Sequence, residues 1–487
     1  MVDTGGDRGA AGRIAKNTFV LTVGQVLNLG LGFLYTIYIA RYLGAEGFGL
    51  LSFALAFTGV FSVCTDLGVT SLNTREIART RSSAGEYLGH ASVIRLFLVS
   101  ITVTLIIVVS NLVGYSQQTL TVVYLFSVYV GFTAFTGLFY SVFQGFEKME
   151  YQAISLILNG VLMTAGVIVG VTQGFGVIGF AFIYSLVAAV VFVYNLVACF
   201  RKCVTPHTQL SWSFGKTMLL EALPFGLSAA FATVYYYVDS VILFSLKGDV
   251  AIGLYNAAYK LVYTLSFFPN LYFAAVFPVM SQLFVTSHSR LQYVYERSLK
   301  LMVAIILPVA VGTTLLADKV VLLVYGSGYS SSVIILQVLV WGVFFSYLNW
   351  TPVTTLNAMN RQRTVTKVVF LSMVLNVGLN LLLIPPLSYV GASVVMVLTE
   401  FLIFILLFLY ARRFFDFRLS IRSGAKLACS TGMAAGVAIL CSPLGLAVTV
   451  LSAAATYVIL LYVSHFLSKE ELSLARNAIG SLRRKES

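Results

Sequence analysis

Long apolar runs separated by short polar turns fill this chain, and most last close to the roughly 20 residues an α-helix needs to cross a bilayer core. The pattern predicts membrane-spanning helices near residues 14–40, 48–70, 90–113, 119–143, 152–171, 176–199, 218–246, 250–284, 298–324, 333–357, 364–384, 389–411, 425–441 and 445–466. That is an all-α integral membrane protein of about fourteen transmembrane helices. The first run, Phe19 to Ala40, is too long for a signal-peptide core and has no clear cleavage site, so it is expected to stay as a span.

Composition agrees with this reading. Apolar residues make up 59% and charged ones 10%, and the mean hydropathy is +0.92, all outside the range of a water-soluble domain. The five cysteines sit in or beside apolar runs and read as packing residues rather than a disulfide framework.

Charge adds the orientation. A net charge of +13 suits nucleic acid only when basic residues gather on one face. Here they are spread along turns, so no nucleic-acid partner is expected. With the N-terminus in the cytoplasm, 26 of the 31 Lys and Arg fall on alternate, cytoplasmic segments. Arg41, Lys247 and Lys319 lie on outer segments, and Arg95 and Lys260 within helices. One missed helix would invert every later turn, so the count and the orientation support each other. The expectation is a multi-pass protein of the cell membrane with both termini cytoplasmic.

A weak internal repeat appears at a constant offset of 204, where Gly44, Gly49, Leu50 and Ala54 fall on Gly248, Gly253, Leu254 and Ala258. A six-helix repeat unit is even in number, so both copies run the same way through the membrane. Such parallel repeats place a substrate site between them near the midplane. The expected organisation is an N-lobe at 1–200, a cytoplasmic loop at 201–216, a C-lobe at 217–411, two extra helices at 412–466 and a basic tail at 467–487. All nine prolines follow residue 200; those inside predicted helices, such as Pro224 and Pro352, read either as cavity-lining bends or as static kinks. No connecting segment is long enough to fold outside the membrane, which weighs against a membrane enzyme of glycan assembly.

Two stretches carry a family likeness. Ala40-Arg41-Tyr42-Leu43-Gly44-Ala45-Glu46-Gly47-Phe48-Gly49, then Asp66-Leu67-Gly68 and Thr74-Arg75-Glu76-Ile77-Ala78-Arg79, resembles the amino-terminal signature of polysaccharide flippases. Tyr237-Val238-Asp239-Ser240, then Gly253-Leu254-Tyr255-Asn256-Ala257-Ala258-Tyr259-Lys260 and Phe277-Pro278, resembles the start of their second half. The family is the O-antigen and polysaccharide flippase branch of the multidrug, oligosaccharidyl-lipid and polysaccharide exporter superfamily. The resemblance implies two six-helix lobes that alternate between outward and inward states. It also implies a polyprenyl-phosphate-linked oligosaccharide or a close analogue as cargo. The carrier would be a monomer in the bilayer, serving glycan-assembly machinery without making bonds.

Within that frame the intramembrane charges are the candidate site, because each costs roughly 2.5–3.5 kcal/mol at mid-bilayer. Asp239 and Lys260 lie at similar depth on consecutive helices. Either they neutralise each other and pin the helices, or they do cavity work. In the second case Lys260 attracts the cargo's phosphate, while Asp239 balances that charge or binds a coupling proton or cation. Asp66 and Arg95 repeat the pattern near the cytoplasmic end. Arg95 would suit capture of a pyrophosphate headgroup with help from Arg75, or both arginines serve only structure and topology. Glu400 stands alone in its helix and reads as protonated, paired across helices or part of an ion path.

The four histidines lie at loops or helix ends, so no metal is expected. Gly326-Ser327-Gly328 lacks the features of a phosphate loop. No cofactor is expected, and energy would come from an H+ or Na+ gradient or from downhill cargo. Tyr235, Tyr236 and Tyr237 can stack on sugars, although an interfacial or lipid-facing place is the plainer expectation. The rival functions are a cation-coupled multidrug antiporter and, more remotely, a glycan-assembly enzyme.

Overall fold

Inside hydrocarbon there is no water to bond a peptide group, so a spanning segment must close its own hydrogen bonds. The computed structural model does this with helices; no strand occurs among the described residues, which are 4–207, 211–415, 421–464 and 466. The tail expected at 467–487 lies outside the described residues. In chain order the helices are α1 (Thr4–Ser62), α2 (Val69–Arg79), α3 (Ala84–Val113), α4 (Gln117–Gly145), α5 (Met149–Thr172), α6 (Val177–Lys202) and α7 (Trp212–Tyr263). They continue as α8 (Phe267–Thr286), α9 (His288–Tyr325), α10 (Ser332–Ala358), α11 (Gln362–Ala411), α12 (Ile421–Cys441) and α13 (Leu446–Val463).

Eleven stretches among the described residues are long and apolar enough to cross a membrane, and three of them span 47, 58 and 50 residues. A straight helix of 47 residues would be roughly 70 Å long, more than twice the roughly 30 Å hydrocarbon core. Each of the three reverses instead. α1 breaks at Gly44 (φ 67, ψ −178), α7 at Gly248 (φ 80, ψ −172) and α11 at Ser388 (φ 53, ψ −134). Gly44 and Gly248 occupy equivalent repeat positions and share one backbone conformation, open only to glycine at low cost.

Side-chain contacts confirm the reversals. Ser240 and Asn256, sixteen residues apart in α7, are hydrogen-bonded at 3.3 Å, a separation of about 24 Å along a straight helix. In α11 a Cβ on Gly391 would press against the Leu383 carbonyl. With three reversals the eleven spans make fourteen crossings, the number the hydropathy pattern predicts.

One compact unit comprises Met1–Lys260 and Val369–Val395. Its core around α2, α3 and α4 includes Leu72, Ile77, Leu88, Val142 and Phe143. Polar bonds join its helices where lipid cannot supply a hydrophobic driving force: Tyr140 meets Ser155 at 2.8 Å, and Asn195 donates to the same hydroxyl at 2.7 Å. The hydropathy pattern missed α2, a short helix with moderate polarity that follows the breaks at Leu67 and Gly68.

The other unit comprises Leu261–Val368 and Met396–Ser487. Its last two helices are fastened to α9 at three levels. Lys319 donates to the Ser442 carbonyl, the Tyr457 hydroxyl donates to the Ala304 carbonyl at 2.6 Å, and Lys300 donates to the Phe466 carbonyl at 2.6 Å. Lys300 also lies 4.1 Å from the Phe466 ring centre.

Candidate functional site

The reversals of α1 and α7 bring two hairpins together in the first unit, and a cavity of about 260 Å³ forms between them. Repeat-equivalent residues contribute to it together. Thr36 and Ser240, Leu51 and Tyr255, Ser52 and Asn256, Leu55 and Tyr259, and Ala56 and Lys260 all line the cavity. Each pair is separated by the 204-residue offset. The chemistry is nevertheless lopsided, because the first copy supplies mostly aliphatic groups and the second supplies phenols, an amide and the ammonium of Lys260.

Tyr129 of α4 and Tyr184 of α6 complete a wall that also holds Tyr35, Tyr236, Tyr237, Tyr255 and Tyr259. The rings brace one another. Tyr255 and Tyr259 stack with centres 5.9 Å apart, Tyr236 stands edge-on to Tyr237 at 4.7 Å, and Tyr129 stands edge-on to Tyr184 at 6.0 Å. Lys260 is the one charged side chain among the described lining residues. Tyr236 and Tyr237, expected at an interfacial or lipid-facing place, both line this cavity.

Asp239 lies behind this wall, 7% exposed. Its carboxylate accepts from the Asn380 amide at 2.6 Å and from the Tyr255 hydroxyl at 3.4 Å. Asn380 also donates to Asn376 at 3.0 Å, one helical turn away in α11. Tyr255 thus touches the cavity with its ring and the buried carboxylate with its hydroxyl. The charge pairing suggested by equal depth gives way to amide and phenol donors. Asn376 and Asn380 escaped the sequence reading, although two amides four residues apart inside an apolar run are a signal of helix contact or polar function.

Arg95 and Asp66 do form an ion pair, at 2.5 Å. The guanidinium, 2% exposed, also donates to the Thr65 carbonyl at 3.1 Å and to the Thr70 hydroxyl at 2.7 Å. Asp66 accepts the Thr70 amide at 3.0 Å, so the two side chains clasp the chain break that leads into α2. Neither belongs to the cavity lining. Arg75 lies further along α2, bonded to Glu76 at 2.6 Å and to Glu221 of α7 at 3.2 Å.

Glu400 belongs to the second unit. The Asn349 amide donates to its carboxylate at 2.7 Å and to its backbone carbonyl at 3.0 Å. Among the described residues no group of three or more His, Cys, Asp or Glu is arranged to hold a metal ion.

Known proteins share this plan. The chain is 23% identical over 383 residues to a relative from Haloferax volcanii named as a low-salt glycan biosynthesis flippase, covering 78% of this chain and 80% of that protein. It is 24% identical to an Escherichia coli relative named for O-antigen transport, covering 82% and 97% respectively. Among solved structures, the lipid II flippase MurJ in an inward closed conformation superposes with a TM-score of 0.78 at 14% identity, covering 91% of this chain and 98% of that one. The fold is therefore that of a multi-pass, all-α membrane transporter. A family model described as polysaccharide biosynthesis protein matches residues 14–284, more than half of the chain and every described residue that lines the cavity, so the chain belongs to that family.

Proposed function

We propose that this chain is a flippase that carries a polyprenyl-phosphate-linked oligosaccharide or polysaccharide unit from the cytoplasmic to the outer leaflet by alternating access. The observation that carries the reading is the cavity of phenol rings with a single ammonium. Ring faces accept the C–H faces of sugars, phenol hydroxyls exchange hydrogen bonds with sugar hydroxyls, and Lys260 attracts the phosphate linkage. The headgroup crosses there while the polyprenyl tail stays in the bilayer. A cation-coupled multidrug antiporter would need an acidic cavity, and the one charged side chain among the described lining residues, Lys260, is positive. The step is transport, without bond making.

The matching breaks at Gly44 and Gly248 and the repeat-equivalent lining support an N-lobe at 1–200 and a C-lobe at 217–411, joined by the loop at 201–216. Helices within 412–466 are then an addition. The distribution of Lys and Arg supports cytoplasmic termini, a basic cytoplasmic tail and a place in the cell membrane. In this reading the carrier is a monomer that hands its cargo to glycan-assembly machinery. The coupling ion, H+ or Na+, is held by Asp239, whose hydroxyl neighbour Tyr255 faces the cavity. Glu400 is a second carboxylate for ion coupling or charge balance. Arg95 and Asp66 hold the entrance to α2 in shape, and Arg75 beside them draws the pyrophosphate headgroup.

Reconstitution with a fluorescent lipid-linked glycan tests this. Lys260→Ala should lower leaflet exchange by about 10-fold or more, since one charge pair at 4 Å contributes on the order of 4 kcal/mol at an effective dielectric of 20 and solvent in the cavity screens part of it. Lys260→Arg should keep most of the rate. Unchanged exchange in Lys260→Ala liposomes would defeat the proposal.

A further inference from the structure

The unit built from Leu261–Val368 and Met396–Ser487 encloses a cavity of its own. It measures about 440 Å³, within the roughly 300–1,000 Å³ usual for small-molecule sites. Four helices supply its apolar walls, with Val303 from α9, Leu348 from α10, Phe404 and Phe408 from α11 and Leu427 from α12. Leu348 lies ten residues before the end of α10 at Ala358, a rise of about 15 Å. That is half of the roughly 30 Å hydrocarbon core, the depth that one acyl chain fills in its own leaflet.

The same cavity carries charge. Arg297 and Lys300, one helical turn apart on α9, line it together with Glu296, whose carboxylate accepts from the Gln292 amide at 2.9 Å. Lys300 donates to the Phe466 carbonyl at 2.6 Å, and Lys426 of α12 donates to the Ser464 carbonyl at 2.5 Å. Both ammonium groups are thus drawn to the residues that end α13, and Arg297 and Lys426 both lie close enough to repel Lys300. Ser423 and Gly424, a turn before Lys426 and Leu427, also line the cavity, so the partially positive N-terminal end of α12 borders it. Three cations and a helix N-terminus therefore gather against one carboxylate. An ammonium has three donors, and the Phe466 carbonyl takes one from Lys300. Positive charge beside an apolar pocket is complementary to a molecule that is anionic at one end and hydrocarbon at the other.

We propose that this cavity binds an anionic phospholipid, its phosphate held by Arg297 and Lys300 at the start of α12 and one acyl chain lying against Leu348, Phe404 and Phe408. The inference stands apart from the flippase reading, because it concerns a lipid that stays bound and not the cargo. The acyl chain fills the space between α9 and α11, and the phosphate offsets the repulsion among the three cations. Binding to the folded state then stabilises it.

The test strips the full chain of lipid in detergent and titrates it with phosphatidylglycerol or with phosphatidylcholine of the same acyl chains, counting retained lipid by native mass spectrometry. One phosphatidylglycerol should be held about 10-fold more tightly than phosphatidylcholine, from two cations that each contribute about fivefold before screening. Arg297→Gln combined with Lys300→Gln should erase that preference. Val303→Phe, which narrows the cavity and keeps its charges, should weaken both lipids by about fivefold. A phosphatidylglycerol with a photoreactive group in its acyl chain should cross-link to α11 at Phe404 or Phe408.

Equal retention of the two lipids, cross-links confined to other helices, or a double variant that keeps the preference would overturn the site. Polyprenyl phosphate that displaces phosphatidylglycerol at equal concentration would overturn it too, by giving the cavity to the cargo's tail. The headgroup comparison and the cross-link use the unaltered chain, so a variant that fails to fold leaves the test decisive. Glycan exchange is not read, and a failure here leaves the flippase reading standing.

Discussion

Replacing Arg95 with leucine separates a structural clasp from a cargo ligand. The side chain is 2% exposed and makes one charge-assisted bond to Asp66 together with bonds to the Thr65 carbonyl and the Thr70 hydroxyl. Removing one member of a buried ion pair costs about 3–5 kcal/mol. Asp66 is 35% exposed and keeps its bonds to Thr70, so solvent screening places the loss at the low end, about 3 kcal/mol. That is a factor of roughly 150 in the folding equilibrium. Asp66→Asn keeps acceptors for both Arg95 and Thr70 and should cost only about 1–2 kcal/mol. Thermal unfolding in detergent reads the first quantity, and glycan exchange per folded molecule in liposomes reads the second. Arg95→Leu should melt earlier and yield less folded protein, with exchange per folded molecule within about threefold of the parent, a change of roughly 0.7 kcal/mol. A variant that melts like the parent but no longer flips glycan would refute the clasp and return Arg95 to the cargo path.

Three further outcomes follow from the same contacts. Asn380→Leu should destabilise by about 2–3 kcal/mol, because it leaves the Asp239 carboxylate buried without its 2.6 Å donor, and exchange should lose its dependence on an H+ or Na+ gradient; the double replacement Asp239→Leu with Asn380→Leu should melt higher than the single one, and equal melting would speak against the buried pair. Gly248→Ala meets no atom within 4 Å at its new Cβ, so its cost is the backbone alone, about 1–3 kcal/mol for a conformation otherwise reserved to glycine, and unfolding at the parent's temperature would contradict the observed turn. Tyr457→Phe removes the 2.6 Å bond to Ala304 and should cost about 1 kcal/mol, read as a lower melting temperature with exchange unchanged.

Hydropathy sufficed for the fourteen crossings because a lipid core imposes one length and one composition on every helix. The 204-residue offset was likewise visible from a few small residues, since glycine at 44 and 248 answers a local backbone demand that leaves its mark in sequence. The cavity was less legible. Its phenols come from α1, α4, α6 and α7, and nothing in the run Tyr235 to Tyr237 says which helix face turns inward. Asn376 and Asn380 carry no mark in the sequence of the carboxylate they serve, because only the packing of α11 brings Asn380 to Asp239.

Charge marks the same boundary. Sequence spacing set Asp239 and Lys260 at one depth and Asp66 and Arg95 at another, and depth follows from rise per residue alone. Pairing depends on rotation about the helix axis and on which helices are neighbours, quantities that packing of small residues and buried hydrogen bonds settles in three dimensions. One pair therefore formed, at Arg95 and Asp66. In the other place Asp239 went to an amide 141 residues away, while Lys260 lines the cavity as the one cation among its described residues.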